Sequence, residues 1–125
     1  MICYIYFVNK RLVFYTDKSG NNPVDDFINT LSDRAANKVA RALAPLHEFG
    51  IGTHIKEAKK VVGTPIWEIR ILGKDSIRIM YTATLKDIVL LLHGFVKKSQ
   101  KTPQKDLAVA TRRLNDWINR HSQTS

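Results

Sequence analysis

Phe95-Val96-Lys97-Lys98-Ser99-Gln100-Lys101-Thr102-Pro103 places three lysines directly after an apolar run at residues 88–92 and just before a proline able to start a helix. Ammonium groups gathered at a strand end attract phosphate. A second concentration of positive charge has more defined chemistry. Trp67, Ile69 and Ile71 alternate with Glu68 and Arg70, and Ile77, Ile79 and Tyr81 alternate with Arg78 and Met80, so both segments read as strands with one apolar face. If those faces coincide, residue 69 lies opposite 79 and 71 opposite 77. Arg70 then stands directly across from Arg78, with Gly73-Lys74-Asp75 in the loop. Two facing guanidinium groups destabilise a sheet unless something negative lies between them. Glu68 can supply that charge in an ordinary surface salt-bridge cluster. A phosphate can supply it too, because guanidinium is always charged and grips phosphate oxygens in a fork.

Histidine is the usual acid or base near neutral pH, and the chain has four. His93, between Leu92 and Phe95, reads as a hydrogen-bonded core or rim residue ahead of a catalyst, and His54 lies in a loop with Gly50, Gly52 and the basic residues Lys56, Lys59 and Lys60, where it can line a site. His47 reads as helix surface and His121 as part of a frayed tail, 121–125. Cys3 is the only cysteine. It excludes an internal disulfide and a zinc site of the Cys-pair type, fits a reducing cytosolic setting, and reads as a small apolar side chain rather than a nucleophile. No carboxylate cluster has the look of a divalent-metal site.

The elements that must position these residues follow from pattern. With 125 residues and 44% hydrophobic side chains, one domain spanning 1–125 can bury a core. The charge is +9 overall, and it is uneven: residues 1–50 hold six basic and five acidic groups, whereas 51–125 hold fourteen and six. A net of +8 in that second part points to a polyanionic partner, such as nucleic acid with its condensed counterions, or else to a solvated basic face. The apolar segment 2–8 lacks a basic flank and a cleavage site, so it reads as strand rather than signal peptide. No run approaches the ~20 apolar residues of a membrane helix.

Residues 2–15, rich in aromatic and β-branched types, predict one bent strand or a short hairpin. Turn chemistry at residues 17–23 leads into a helix capped by Asn22, started by Pro23 and carrying Asp25 and Asp26 where its dipole favours negative charge. Ser32 or Asp33 can cap a second helix, with Ala35, Val39, Ala42, Leu43, Leu46 and Phe49 at helical spacing, a kink at Pro45 and a stop at Gly50. Three strands are expected over 65–72, 76–82 and 87–95, close enough in sequence for an antiparallel meander. Residues 103–120 form an amphipathic terminal helix, with Leu107, Ala110, Leu114, Trp117 and Ile118 on one side.

Asn22-Pro23-Val24-Asp25-Asp26-Phe27-Ile28, Lys59-Lys60, Ile66-Trp67-Glu68-Ile69-Arg70, Arg78-Ile79-Met80-Tyr81 and the run from Leu92 through His93-Gly94-Phe95 to Pro103, in this order and spacing, resemble the phage-derived HigB-like branch of the RelE toxin superfamily. The resemblance covers about residues 12–118. It implies an α+β fold: an N-terminal strand, a two-helix hairpin packed on an antiparallel meander, and a C-terminal helix. It further implies the toxin of a type II toxin–antitoxin system, a cytoplasmic, ribosome-dependent endoribonuclease that cuts translated mRNA without metal or cofactor. The partner it implies is an antitoxin, in this branch usually a helix-turn-helix DNA-binding protein.

In such chemistry the 2′-hydroxyl attacks the adjacent phosphate and needs a base, charge for the transition-state oxygens and an acid for the leaving oxygen. Arg70 and Arg78 are the candidates for charge stabilisation, and Lys98, then Lys97, for holding the backbone or assisting proton transfer. Lys59, Lys60, Lys101, Glu68 and Tyr81 complete the expected RNA-binding set, and His54 and His93 the possible acid–base groups, although the parity of Tyr81 places it with the core. Two rivals carry different expectations. A non-catalytic nucleic-acid module would stack bases on Phe95, Trp67 and Tyr81, and a protein-binding domain would direct its lysines at an acidic partner.

Overall fold

Asn22 starts the first helix as its spacing predicts. Its side-chain oxygen accepts from the Asp25 amide at 3.1 Å, with Pro23 in the first turn, a cap worth about 1 kcal/mol. The computed structural model describes residues 11–49, 55–83, 88–98 and 103–121. Helix α1 (Pro23–Asn29) is followed by α2 (Asp33–Phe49), whose cap is Ser32: its Oγ accepts from the Ala35 amide at 3.1 Å. Pro45 lies within α2, and the helix continues past it. The expected stop at Gly50 lies outside the described residues.

Among the described residues, five strands form one sheet in the order β1-β5-β4-β3-β2: β1 (Arg11–Phe14), β2 (Ala58–Lys60), β3 (Trp67–Ile71), β4 (Ile77–Ala83) and β5 (Ile88–Val96). The meander β3-β4-β5 is antiparallel as expected. The sheet as a whole is mixed, because β1 pairs parallel to β5, Arg11 against Ile88 through Phe14 against Leu91. That pairing joins segments far apart in sequence, and nothing local encodes it. Strand β2, antiparallel to β3, was hidden for another reason: Ala58-Lys59-Lys60 has no apolar alternation, and lysine is what an edge strand uses to deter further pairing.

Helices α1 and α2 cover one face of the sheet. Val24, Val39, Leu43 and Leu46 meet Ile69, Ile71, Ile77, Ile79, Tyr81 and Leu91 in a core of buried side chains. Close approach of α1 depends on Gly94. A Cβ there would fall 2.5 Å from Phe27 Cδ2, well inside van der Waals contact. The opposite face carries α3 (Gln104–His121), which buries Ala110 and Leu114 against Met80, Leu90 and Leu92. Ile118 stays 46% exposed, outside the packed stripe expected for it. His121 is the last residue of α3, not part of a tail; its ring stacks on Trp117 with centroids 3.7 Å apart. Asp116 accepts from the Tyr15 hydroxyl at 2.6 Å and from Arg120 Nε at 3.0 Å, while Arg120 also donates to the Thr16 carbonyl. These bonds tie the end of α3 to the end of β1. No helix among the described residues is long and apolar enough to cross a membrane.

Gly94 keeps its register, opposite Ile79, and the irregularity lies just before it. Met80 pairs with His93 and Tyr81 with Leu91, so Leu92 is the extra residue of a bulge. A bulge re-aims the side chains that follow it. Here it sets His93 on the α3 side together with Leu92, which lies in the core beneath that helix.

Candidate functional site

Arg70 and Arg78 are register partners, flanked by Ile69 opposite Ile79 and Ile71 opposite Ile77. Because those isoleucines fill the core under α1 and α2, the arginines project from the other face. They occupy it differently. Arg78 lies low, its side chain 13% exposed, with Nε 3.6 Å from Glu68 Oε1 and Nη1 donating to the Ile77 carbonyl at 3.3 Å. Glu68 is itself nearly buried, at 5%. Arg70 is exposed and has no ion-pair partner among the described residues. One carboxylate therefore faces two guanidinium groups, and the row keeps a net positive charge. An oxyanion placed between them would complete the compensation that facing arginines require.

The lysines extend this face on both sides. Lys59 is the β2 partner of Glu68 and shares its side of the sheet, whereas Lys60 pairs with Trp67 and falls on the helix side. The two lysines, read together from sequence, are separated by strand parity. At the other end the Lys97 amide donates to the Ser76 carbonyl at 2.9 Å, continuing the ladder one residue past β5. Alternation from Phe95, the β5 partner of Arg78, puts Lys97 on the arginine side. Exposed Lys98 comes one step later, beyond the last of these bonds.

Tyr81 does not join the group. It is completely buried in the core under α1 and α2, paired with Trp67, and burial pushes its phenol far above the ordinary tyrosine range. Phe95 is only 7% exposed. The aromatic platform of a base-stacking module is thus absent from this face among the described residues. His54 and Lys101, like Cys3, lie outside the described residues.

His93 is fully engaged. Its Nε2 lies 2.7 Å from Asp106 Oδ1 and its Nδ1 3.2 Å from Arg113 Nη1, and its ring stacks on Phe95 at 5.3 Å. Since guanidinium can only donate, Nδ1 accepts and Nε2 carries the proton toward Asp106. Desolvation lowers the imidazole pKa, outweighing Asp106, which raises it; Arg113 and Arg112 lower it further. A neutral histidine with both nitrogens occupied is an anchor for α3. Arg113 also donates to the Leu92 carbonyl at 2.8 Å, which addresses backbone at the bulge. Sequence reasoning missed Asp106 and Arg113, yet a signal existed: seven residues apart, they lie two turns apart on α3, along the stripe that holds Ala110 and Leu114.

Among the described residues no three His, Cys, Asp or Glu side chains are grouped to hold a metal ion. The face offers fixed cations, a buried carboxylate and a strand-end lysine, a set suited to gripping phosphate and to neutralising charge that develops on it. Comparison with known families gives one finding: the model for phage derived protein Gp49-like (DUF891) matches residues 26–115. No curated protein matches the chain.

Proposed function

The chain belongs to the Gp49-like family of phage-derived proteins, a toxin-like family of the RelE kind, and on that premise we propose that it is the toxin of a type II pair acting as a ribosome-dependent mRNA endoribonuclease of the HigB-like type. The facing pair Arg70 and Arg78 carries this reading. Both arginines, Glu68, Lys59 and Lys97 fall within the matched segment. Membership of a toxin family implies a cognate antitoxin; we take it to be a helix-turn-helix DNA-binding protein. The working toxin is taken as one domain, residues 1–125, in the cytoplasm where translated mRNA is found.

In the proposed reaction the 2′-hydroxyl gives up its proton as its oxygen bonds to the adjacent phosphorus, the bond from phosphorus to the 5′-oxygen breaks, and that oxygen takes up one proton. The net change moves a proton from the 2′- to the 5′-oxygen, with Lys98 as the candidate to assist the transfer. The products are a 2′,3′-cyclic phosphate and a 5′-hydroxyl. Negative charge grows on the non-bridging oxygens between the two states. Arg78, held by Glu68, is positioned to receive it without reorganising, and exposed Arg70 closes on the phosphate from the facing strand. Lys97 or Lys98 holds the flanking backbone, with Lys59 on the far side. His93 holds α3 in place and takes no proton from substrate.

Primer extension on mRNA translated in vitro tests the reading. The wild-type chain is expected to give cuts only with ribosomes present, and Arg70→Ala to weaken them by roughly 10²–10³. Cleavage of equal efficiency by Arg70→Ala would move the chemistry to other residues, and no cleavage by a folded wild-type chain that still binds RNA would leave the binding-module reading in its place.

A further inference from the structure

We propose that the cavity between the start of α2 and the β3–β4 hairpin is a second phosphodiester-binding site, separate from the arginine face. It is a cavity of about 380 Å³ lined by Ser32, Arg34 and Lys38 from the start of α2 and by Gly73, Lys74 and Asp75 from the hairpin. Three cations therefore surround it against one carboxylate. None of the three has an ion-pair partner among the described residues, so an anion entering the cavity meets cations that no carboxylate already pairs.

Hairpin geometry makes the arrangement possible. Gly73 has φ +144°, a conformation that side chains disfavour, and a Cβ there would lie 3.1 Å from Lys38 Nζ. Glycine thus leaves the space in which the Lys38 ammonium lies against the hairpin. Ser32 Oγ accepts from the Ala35 amide and keeps its own hydroxyl proton to donate. Guanidinium, two ammonium groups and a hydroxyl form a set of donors that matches the acceptor oxygens of a phosphate.

Nucleic acid is favoured over an acidic peptide by where the cavity lies. Lys74 is four residues from both Arg70 and Arg78 in one hairpin, so positive charge continues from the arginine face round the end of the sheet. A polyanion long enough to cross the hairpin tip meets both sites. This inference rests on RNA being the partner, though not on its being cut.

The test is fluorescence anisotropy of a fluorescein-labelled single-stranded RNA with the full chain over a range of salt, comparing wild type with the double variant Lys38→Gln, Lys74→Gln. Both lysines reach the surface, and circular dichroism checks the fold. Two lost phosphate contacts should lower the slope of log affinity against log salt by about 1.4 and weaken binding roughly tenfold at moderate salt. A double variant matching wild type in slope and affinity overturns the second site and leaves the arginine face untouched. Failure of the wild-type chain to bind RNA overturns both. Unchanged RNA binding with lost affinity for polyglutamate reassigns the cavity to an acidic protein partner.

Discussion

Arg70 and Arg78 face each other across β3 and β4, yet only Arg78 is held by a carboxylate, and only Arg70 is open to solvent. The asymmetry separates their mutational signatures. Arg70→Ala removes an exposed cation and should change stability by no more than about 0.5 kcal/mol, while lowering cleavage by roughly 10²–10³, the usual cost of losing one charge-stabilising donor. Arg78→Ala should lower cleavage as much and also destabilise by about 2 kcal/mol, because Glu68 is left buried without its partner. Urea denaturation beside a cleavage assay reads both. Equal stability losses in the two variants would show that the asymmetry has no energetic content.

Glu68 neutralises part of the arginine pair, so its charge competes with any incoming anion. Glu68→Gln should destabilise the free protein by about 1–2 kcal/mol through the uncompensated arginines. It should also make the face a better anion site. The thermal midpoint of the variant is therefore expected to rise more steeply with added inorganic phosphate than that of wild type. Parallel phosphate responses would mean that Glu68 does not face the site where phosphate binds.

The His93 contacts imply a pH dependence of known sign. Burial lowers its pKa in the folded chain, so between that value and the ordinary ~6.5 the unfolded chain binds the extra proton. Stability then rises with pH through this window; it is fully present above about pH 6.5 and lost as acid protonates the imidazole. Protonation also ends the acceptance of the Arg113 hydrogen bond at Nδ1, while Asp106 opposes the loss from the other side. Unfolding of wild type should show a drop in stability between pH 7 and 5 that His93→Gln reduces. An equal drop in both proteins would assign it to other groups.

The Arg70–Arg78 register was legible from sequence because parity on two short strands with unambiguous apolar faces excludes odd slips, and the short connection through Gly73-Lys74-Asp75 selects among the rest. The Asn22 and Ser32 caps were legible for a similar reason: capping is local chemistry. Parallel pairing of β1 with β5 was not, since residues 11–14 carry no mark of which distant strand they join. The separation of Lys59 from Lys60 needed β2 to be recognised as a strand, and edge lysines conceal that. The bulge at Leu92 was not legible either, because it turns on what packs against each residue of β5, and Gly94 is glycine because Phe27 lies over it.

That contact between α1 and β5 gives the sharpest test of the fold on which the site depends. A methyl group at position 94 would lie 2.5 Å from Phe27 Cδ2 and 3.1 Å from Ile79 Cδ1, so one neighbour is a ring that must move and the other a buried side chain with little room. Overpacking of this kind costs about 1–3 kcal/mol, and Gly94→Ala should fall at the upper end. Shortening the ring relieves the clash at its source, so adding Phe27→Leu should recover part of the loss rather than add to it. Chemical denaturation of the wild type, both single variants and the double completes the cycle, with a favourable coupling of at least about 1 kcal/mol expected for residues in direct contact. Additive losses would place the origin of the Gly94 requirement in the backbone of β5 instead of in the approach of α1.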